Sequence, residues 1–210
     1  SSDVCSSDLV ADGRFWYSLG NGLGNGQDNN WYLDGNGASV VSSDGKKTIV
    51  QMGSGYRGDL WLARSGKGKV VNVTPADYRY FAIKVGFKSQ LVPGKNKPNG
   101  CIKLEIFDDG IKKIGPEYFG TGGDANNRYE ILGASEISTT EPNVLYYDLQ
   151  SKYKTVTPTD WNQVFDLAQC KFVIADFPET AQTYDLYWIR SFKSIEELQA
   201  FVDSENNTNE

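Results

Sequence analysis

Apolar and polar positions alternate with period two through most of this chain, which is the pattern of half-buried β-strands. In residues 80–87, Phe81, Ile83, Val85 and Phe87 fall on one face, while Tyr80, Ala82 and Lys84 fall on the other. In residues 59–64, Leu60 and Leu62 share one face, and Asp59, Trp61 and Ala63 share the opposite one. The same reading gives strands at 14–19, 38–42, 47–52, 69–73, 101–108, 129–132, 143–149, 171–177 and 184–192. Asn-Gly and Asp-Gly pairs punctuate the runs, because both residues tolerate the positive φ that tight turns demand. Asp44-Gly45 and Asp109-Gly110 lie between β-like runs and predict hairpins. Loops are expected at 20–37, 88–100, 114–128 and 150–162. About eleven short strands with no helical pattern between them predict an all-β fold, an antiparallel β-sandwich or jelly roll.

One helix interrupts this pattern. Ser194 followed by Glu197 has the form of a capping box, and Ile195, Leu198, Phe201 and Val202 make an apolar stripe at helical spacing. Such a helix is expected to seal one end of the sandwich. Residues 203–210 are polar throughout and read as the remnant of a linker to further domains of a larger protein. The start of the chain, SSDVCSSDL, has two readings: a trimmed lipoprotein start at Cys5, or translated sequencing-adapter sequence of the kind found in metagenome-derived reading frames. The second is preferred. The expected organisation is therefore a non-native or disordered leader at 1–11, a sandwich module at 12–202 and a linker remnant at 203–210.

Composition narrows the chemistry. The 210 residues carry a formal charge of −6 and contain no histidine. Ser-His-Asp and Cys-His nucleophile pairs, His general bases and His-ligated zinc are thereby excluded. No basic stripe exists to neutralise phosphates, so nucleic-acid binding is not expected. No apolar run is long enough to span a bilayer as a helix, so no membrane insertion is expected. The three cysteines show no metal-binding spacing; Cys101 and Cys170 each open an apolar run and are expected as buried thiols or as one disulfide.

Three motifs invite a site and fall short. The glycine-rich run 20–26 lacks the following helix and the closing Lys-Ser/Thr of a phosphate loop. Asp34-Gly-Asn-Gly37 begins like a calcium loop, but Ala38 and Gly45 stand where an EF-hand needs ligands. A structural calcium held by scattered loop oxygens is still compatible with the sequence, without a defined ligand set, and no other cofactor is expected. Glu105 and Asp108 are the nearest pair of catalytic carboxylates, but a spacing of three on a strand aims them at opposite faces. No catalytic residue is assigned and the chain is not read as an enzyme.

The aromatics carry the positive signal. The chain has 12 Tyr and 5 Trp, whose flat apolar faces and polar edges suit stacking on sugar rings. Trp31, Tyr56 and Trp61 are the expected stacking residues, with Arg57, Asp59 and Lys84 as hydrogen-bonding partners. Trp188 is expected to be buried.

The C-terminal half adds a resemblance. The runs YRYFAIKVGF, CIKLEIFDDG, NVLYYDL and KFVIADF, and the ending TYDLYWIRSFKSIEEL, resemble jelly-roll carbohydrate-binding modules of gut Bacteroidetes. These include a family of unknown-function domains in multimodular glycan-degrading proteins. The pattern covers roughly residues 56–202. It implies an extracytoplasmic, secreted or cell-surface, non-catalytic module that binds a polysaccharide or oligosaccharide of the xylan, β-glucan or mannan class. The alternatives are a carboxylate-dependent glycoside hydrolase or lyase on a jelly roll, and a spacer or adhesion domain that binds nothing.

Overall fold

The computed structural model describes residues 16–17, 32–33, 37–53, 58–63, 71–73, 77–88, 101–108, 117–120, 129–150, 165–175 and 183–207. Among them the strands are β1 (Trp16–Tyr17), β2 (Tyr32–Leu33), β3 (Ser39–Ser43), β4 (Thr48–Gln51), β5 (Leu60–Ala63), β6 (Val71–Val73) and β7 (Tyr80–Phe87). They continue with β8 (Cys101–Asp108), β9 (Glu117–Gly120), β10 (Glu130–Ile131), β11 (Asn143–Asp148), β12 (Phe165–Ala175) and β13 (Thr183–Phe192). One helix, α1 (Ile195–Asn207), ends the described chain. The strands form two antiparallel sheets. Sheet A has the order β10-β11-β7-β13-β4-β3, with β1 beside β13; sheet B has the order β2-β5-β12-β8-β9, with β6 beside β12.

The period-two pattern dictates how the sheets meet. Phe81, Ile83, Val85 and Phe87 are all buried and face the space between the sheets, as their alternation requires. On sheet B, register sets Leu33 opposite Leu60, Leu60 opposite Phe172 and Phe172 opposite Leu104, giving one continuous apolar row. The sheets interlock through aromatic edges: Phe172 lies 6.3 Å from Phe81 and 5.6 Å from Tyr147, ring to ring. Each such fully buried large side chain contributes about 1.5–3 kcal/mol. The result is the predicted all-β sandwich with a C-terminal helix.

Strand β13 departs from simple alternation. Leu186 pairs with Val85 but Trp188 pairs with Lys84, so Tyr187 is an inserted bulge residue. Tyr184, Leu186 and Ile189 join the inter-sheet core, whereas Trp188 and Phe192 turn to the outer face of sheet A. Trp188 is buried as expected, but beneath α1 rather than between the sheets.

Local signals are largely obeyed. Asp44 Oδ1 accepts the backbone N–H groups of Lys46 and Lys47, both at 2.9 Å, and Gly45 takes φ 79°, closing the predicted β3–β4 hairpin. The second predicted hairpin turn, Asp109-Gly110, lies outside the described residues. At α1, Ser194 Oγ accepts the N–H of Glu197 at 3.2 Å. The Glu197 carboxylate reaches back to the N–H of Lys193 at 2.6 Å, one residue before the cap.

Three expectations are corrected, and one open alternative is decided. Tyr32–Leu33 and Glu117–Gly120, within expected loops, pair with β5 and β8. β12 begins at Phe165, earlier than position 171, because its first residues find partners on β6 and β8. Helix α1 continues through the polar residues 203–207. Of the two states expected for Cys170, buried thiol or disulfide half, the structure shows the first, and burial pushes its pKa far up. Cys101 pairs with Ala175, five positions from Cys170 on the same strand, or about 16 Å at strand rise. That span is far beyond disulfide reach.

Candidate binding site

Of the six residues expected to bind, Trp31, Tyr56 and Arg57 lie outside the described residues. Asp59, Trp61 and Lys84 are described, and the structure does not bring all three together. Trp61 sits near the start of β5 on the outer face of sheet B, with Asp59 immediately before the strand. Lys84 sits in the middle of β7 on the outer face of sheet A, opposite Val144 and Trp188. The two faces lie on opposite sides of the sandwich, because each is the reverse of a face that lines the shared core.

Lys84 is therefore part of another group. Its ammonium donates to Glu205 Oε2 on α1 at 3.0 Å and lies 5.5 Å from the Tyr187 ring centroid. The Trp188 indole N–H donates to the same Glu205 carboxylate at 3.0 and 3.1 Å. Nearby, Lys47 Nζ pairs with Asp185 Oδ2 at 2.5 Å, and that hydrogen bond holds the ammonium above the ordinary lysine pKa. Burial raises the phenol pKa of Tyr187.

The place expected for Lys84 is filled by Lys171. Register sets Tyr32 opposite Trp61, Trp61 opposite Lys171, Lys171 opposite Glu105, and Glu105 opposite Tyr118. The outer face of sheet B thus carries Tyr32, Trp61 and Lys171 in one cross-strand row, two aromatics and a cation. Lys171 Nζ lies 4.5 Å from the Trp61 ring centroid and 3.9 Å from Asp59 Oδ2. Cation–π attraction and the ion pair offset part of the cost of taking the ammonium from water. Lys171 was legible by parity alone: Phe172 and Ile174 point to the core, so Lys171 must point away from it.

This group is not an open platform. Trp61 is 8% exposed, Asp59 5% and Tyr32 3%, and the Trp61 ring already holds the Lys171 ammonium. Gly58, next to Asp59, locks the group to the fold. Its N–H donates to Ile174 O on sheet B at 2.9 Å, and its carbonyl accepts the Tyr184 hydroxyl of sheet A at 2.8 Å.

The residues considered for calcium, 28–30 and 34–36, lie outside the described residues. Among the described residues no cluster of three or more His, Cys, Asp or Glu side chains could hold a metal ion. No described helix is long and apolar enough to cross a membrane. No curated protein matches the chain. The family model for a domain of unknown function, DUF4979, matches residues 20–198. Spanning most of the sequence and both sheets, that match makes the chain a member of the DUF4979 family.

Proposed function

We propose that this domain is a non-catalytic carbohydrate-binding module for a polysaccharide of the xylan, β-glucan or mannan class. In this reading it is exported, and it serves a larger multimodular protein. The observation that supports the reading is the cross-strand row Tyr32, Trp61 and Lys171 on the outer face of sheet B, with Asp59 beside it. A sheet face needed only for stability gains little from a desolvated ion pair, because apolar residues of similar volume serve at least as well. A cation and a carboxylate held rigidly beside aromatic rings match the chemistry of a sugar, whose hydroxyls need both donor and acceptor. Trp61, being largely covered, acts here as the support that fixes Lys171 rather than as a free stacking surface. Trp31, Tyr56 and Arg57 remain the proposed outer contacts.

Affinity electrophoresis against a polysaccharide panel tests the reading. Retardation by at least one glycan is expected, and it should weaken in Lys171→Ala. No retardation by any glycan would overturn the proposal. A second reading, a spacer or adhesion domain without a ligand, draws on the burial of both Trp61 and Trp188. It predicts that uniform failure. Release of reducing sugar would instead favour the catalytic alternative.

A further inference from the structure

Helix α1 is acidic in an unusual place. It contains Glu196, Glu197, Asp203 and Glu205 and no basic residue. The first two suit the positive end of the helix macrodipole, whereas Asp203 and Glu205 sit towards its negative end, where anions are unfavourable. The helix is also lightly seated. Leu198 is fully buried, Phe201 and Val202 only partly, and beyond Val202 the side chains are polar. Its C-terminal turns are held to the sheet by Glu205, whose carboxylate accepts from Lys84 Nζ and from the Trp188 indole N–H. Arg190 adds positive charge to the same patch, with its guanidinium 4.0 Å from the Phe201 ring centroid.

These groups form a carboxylate site filled by the chain's own side chain. We propose that the C-terminal turns of α1 are a displaceable cover, and that the site beneath Glu205 binds the carboxylate of a uronate sugar. Lys84 supplies the charge, and Trp188 supplies a directed donor. The half-buried Tyr187 ring, 5.5 Å from the Lys84 ammonium, supplies an apolar face beside the carboxylate. A uronate presents that combination on one rigid ring, whereas an acidic peptide presents carboxylates on flexible stems with no ring to stack. The site lies on the sheet opposite Asp59 and Trp61, so it goes beyond the function proposed above and does not depend on it.

The test uses the full chain, calorimetry and amide hydrogen exchange, with free glucuronate and an oligogalacturonide as probes. A neutral oligosaccharide and poly-glutamate serve as controls. Uronate should bind and should speed exchange over residues 203–207. Glu205→Ala should strengthen uronate binding about tenfold, the gain expected when roughly nine-tenths of the sites are self-occupied. Lys84→Ala should abolish uronate binding in both backgrounds. An excess of the neutral oligosaccharide should not displace uronate, which separates this site from any neutral-glycan site on sheet B. The proposal falls if Glu205→Ala changes uronate affinity less than twofold, if exchange over α1 does not respond, or if poly-glutamate binds equally well.

Discussion

Replacing Gly58 with alanine places one methyl group where the fold has no room for it. An added Cβ would lie 2.9 Å from Tyr184 Cε1 and 3.0 Å from Met52 Sδ. The methionine sulfur ends a flexible side chain and can move. The Tyr184 ring cannot, being fully buried in the inter-sheet core with its hydroxyl bonded to the Gly58 carbonyl. Nor can the backbone withdraw freely, because the Gly58 N–H is bonded to Ile174 O. Overpacking of a tight core costs about 1–3 kcal/mol. Disturbing the tyrosine hydrogen bond adds about 1 kcal/mol. Gly58→Ala should therefore destabilise by about 2–4 kcal/mol, read as a fall in the urea midpoint at unchanged slope. Tyr184→Phe removes the hydrogen bond and keeps the ring, so the alanine penalty should persist in that background. A loss below about 0.5 kcal/mol, the level of an ordinary surface change, would refute the steric argument. So would complete rescue by Tyr184→Phe.

Other outcomes follow from groups already described. The Cys170 thiol should resist a thiol reagent in the native protein and react only on unfolding, because it is fully buried and its thiolate is disfavoured. Leu198→Ala, which empties the apolar seat of α1, should cost about 2–5 kcal/mol in urea unfolding. The Lys47–Asp185 pair should make stability fall on the alkaline side. The folded pKa of Lys47 is raised above 10.5, so the folded state holds more protons than the unfolded state in that window, and stability declines as pH rises through it. Asp185→Asn should flatten that lysine contribution in unfolding measured between neutral pH and pH 11.

The strand signals survive folding because they are local. Residues 80–87 and 101–108 have the bounds their alternation sets, and Asp44-Gly45 forms its turn. What escaped depends on partners distant in sequence. Tyr32–Leu33 is too short to show a period and is a strand only through β5. The polar end of α1 has no apolar stripe, and Glu205 connects it to Lys84, 121 residues away. The binding residues divide for the same reason. Parity placed Lys84 and Trp61 on non-core faces, but no alternation pattern says which sheet a strand joins. Lys171 stands inside the apolar run that Cys170 opens, although the same parity turns it outward.

The extra residue at Tyr187 puts two consecutive side chains of one strand, Tyr187 and Trp188, on the outer face of sheet A. Before it, Leu186 fills the space between the sheets; after it, Trp188 faces the helix. An in-frame deletion of Tyr187 would thus leave the faces of the strand as they are. Leu186 would still point between the sheets, Trp188 would still face α1 with its N–H on Glu205, and Ile189 would stay in the core; only the ring beside the Lys84 ammonium would be lost. In evolutionary terms that position is a buffer of register. Loss of the residue there leaves both surfaces of the strand in place, whereas loss of one residue elsewhere in the strand would exchange its inner and outer surfaces on one side of the gap.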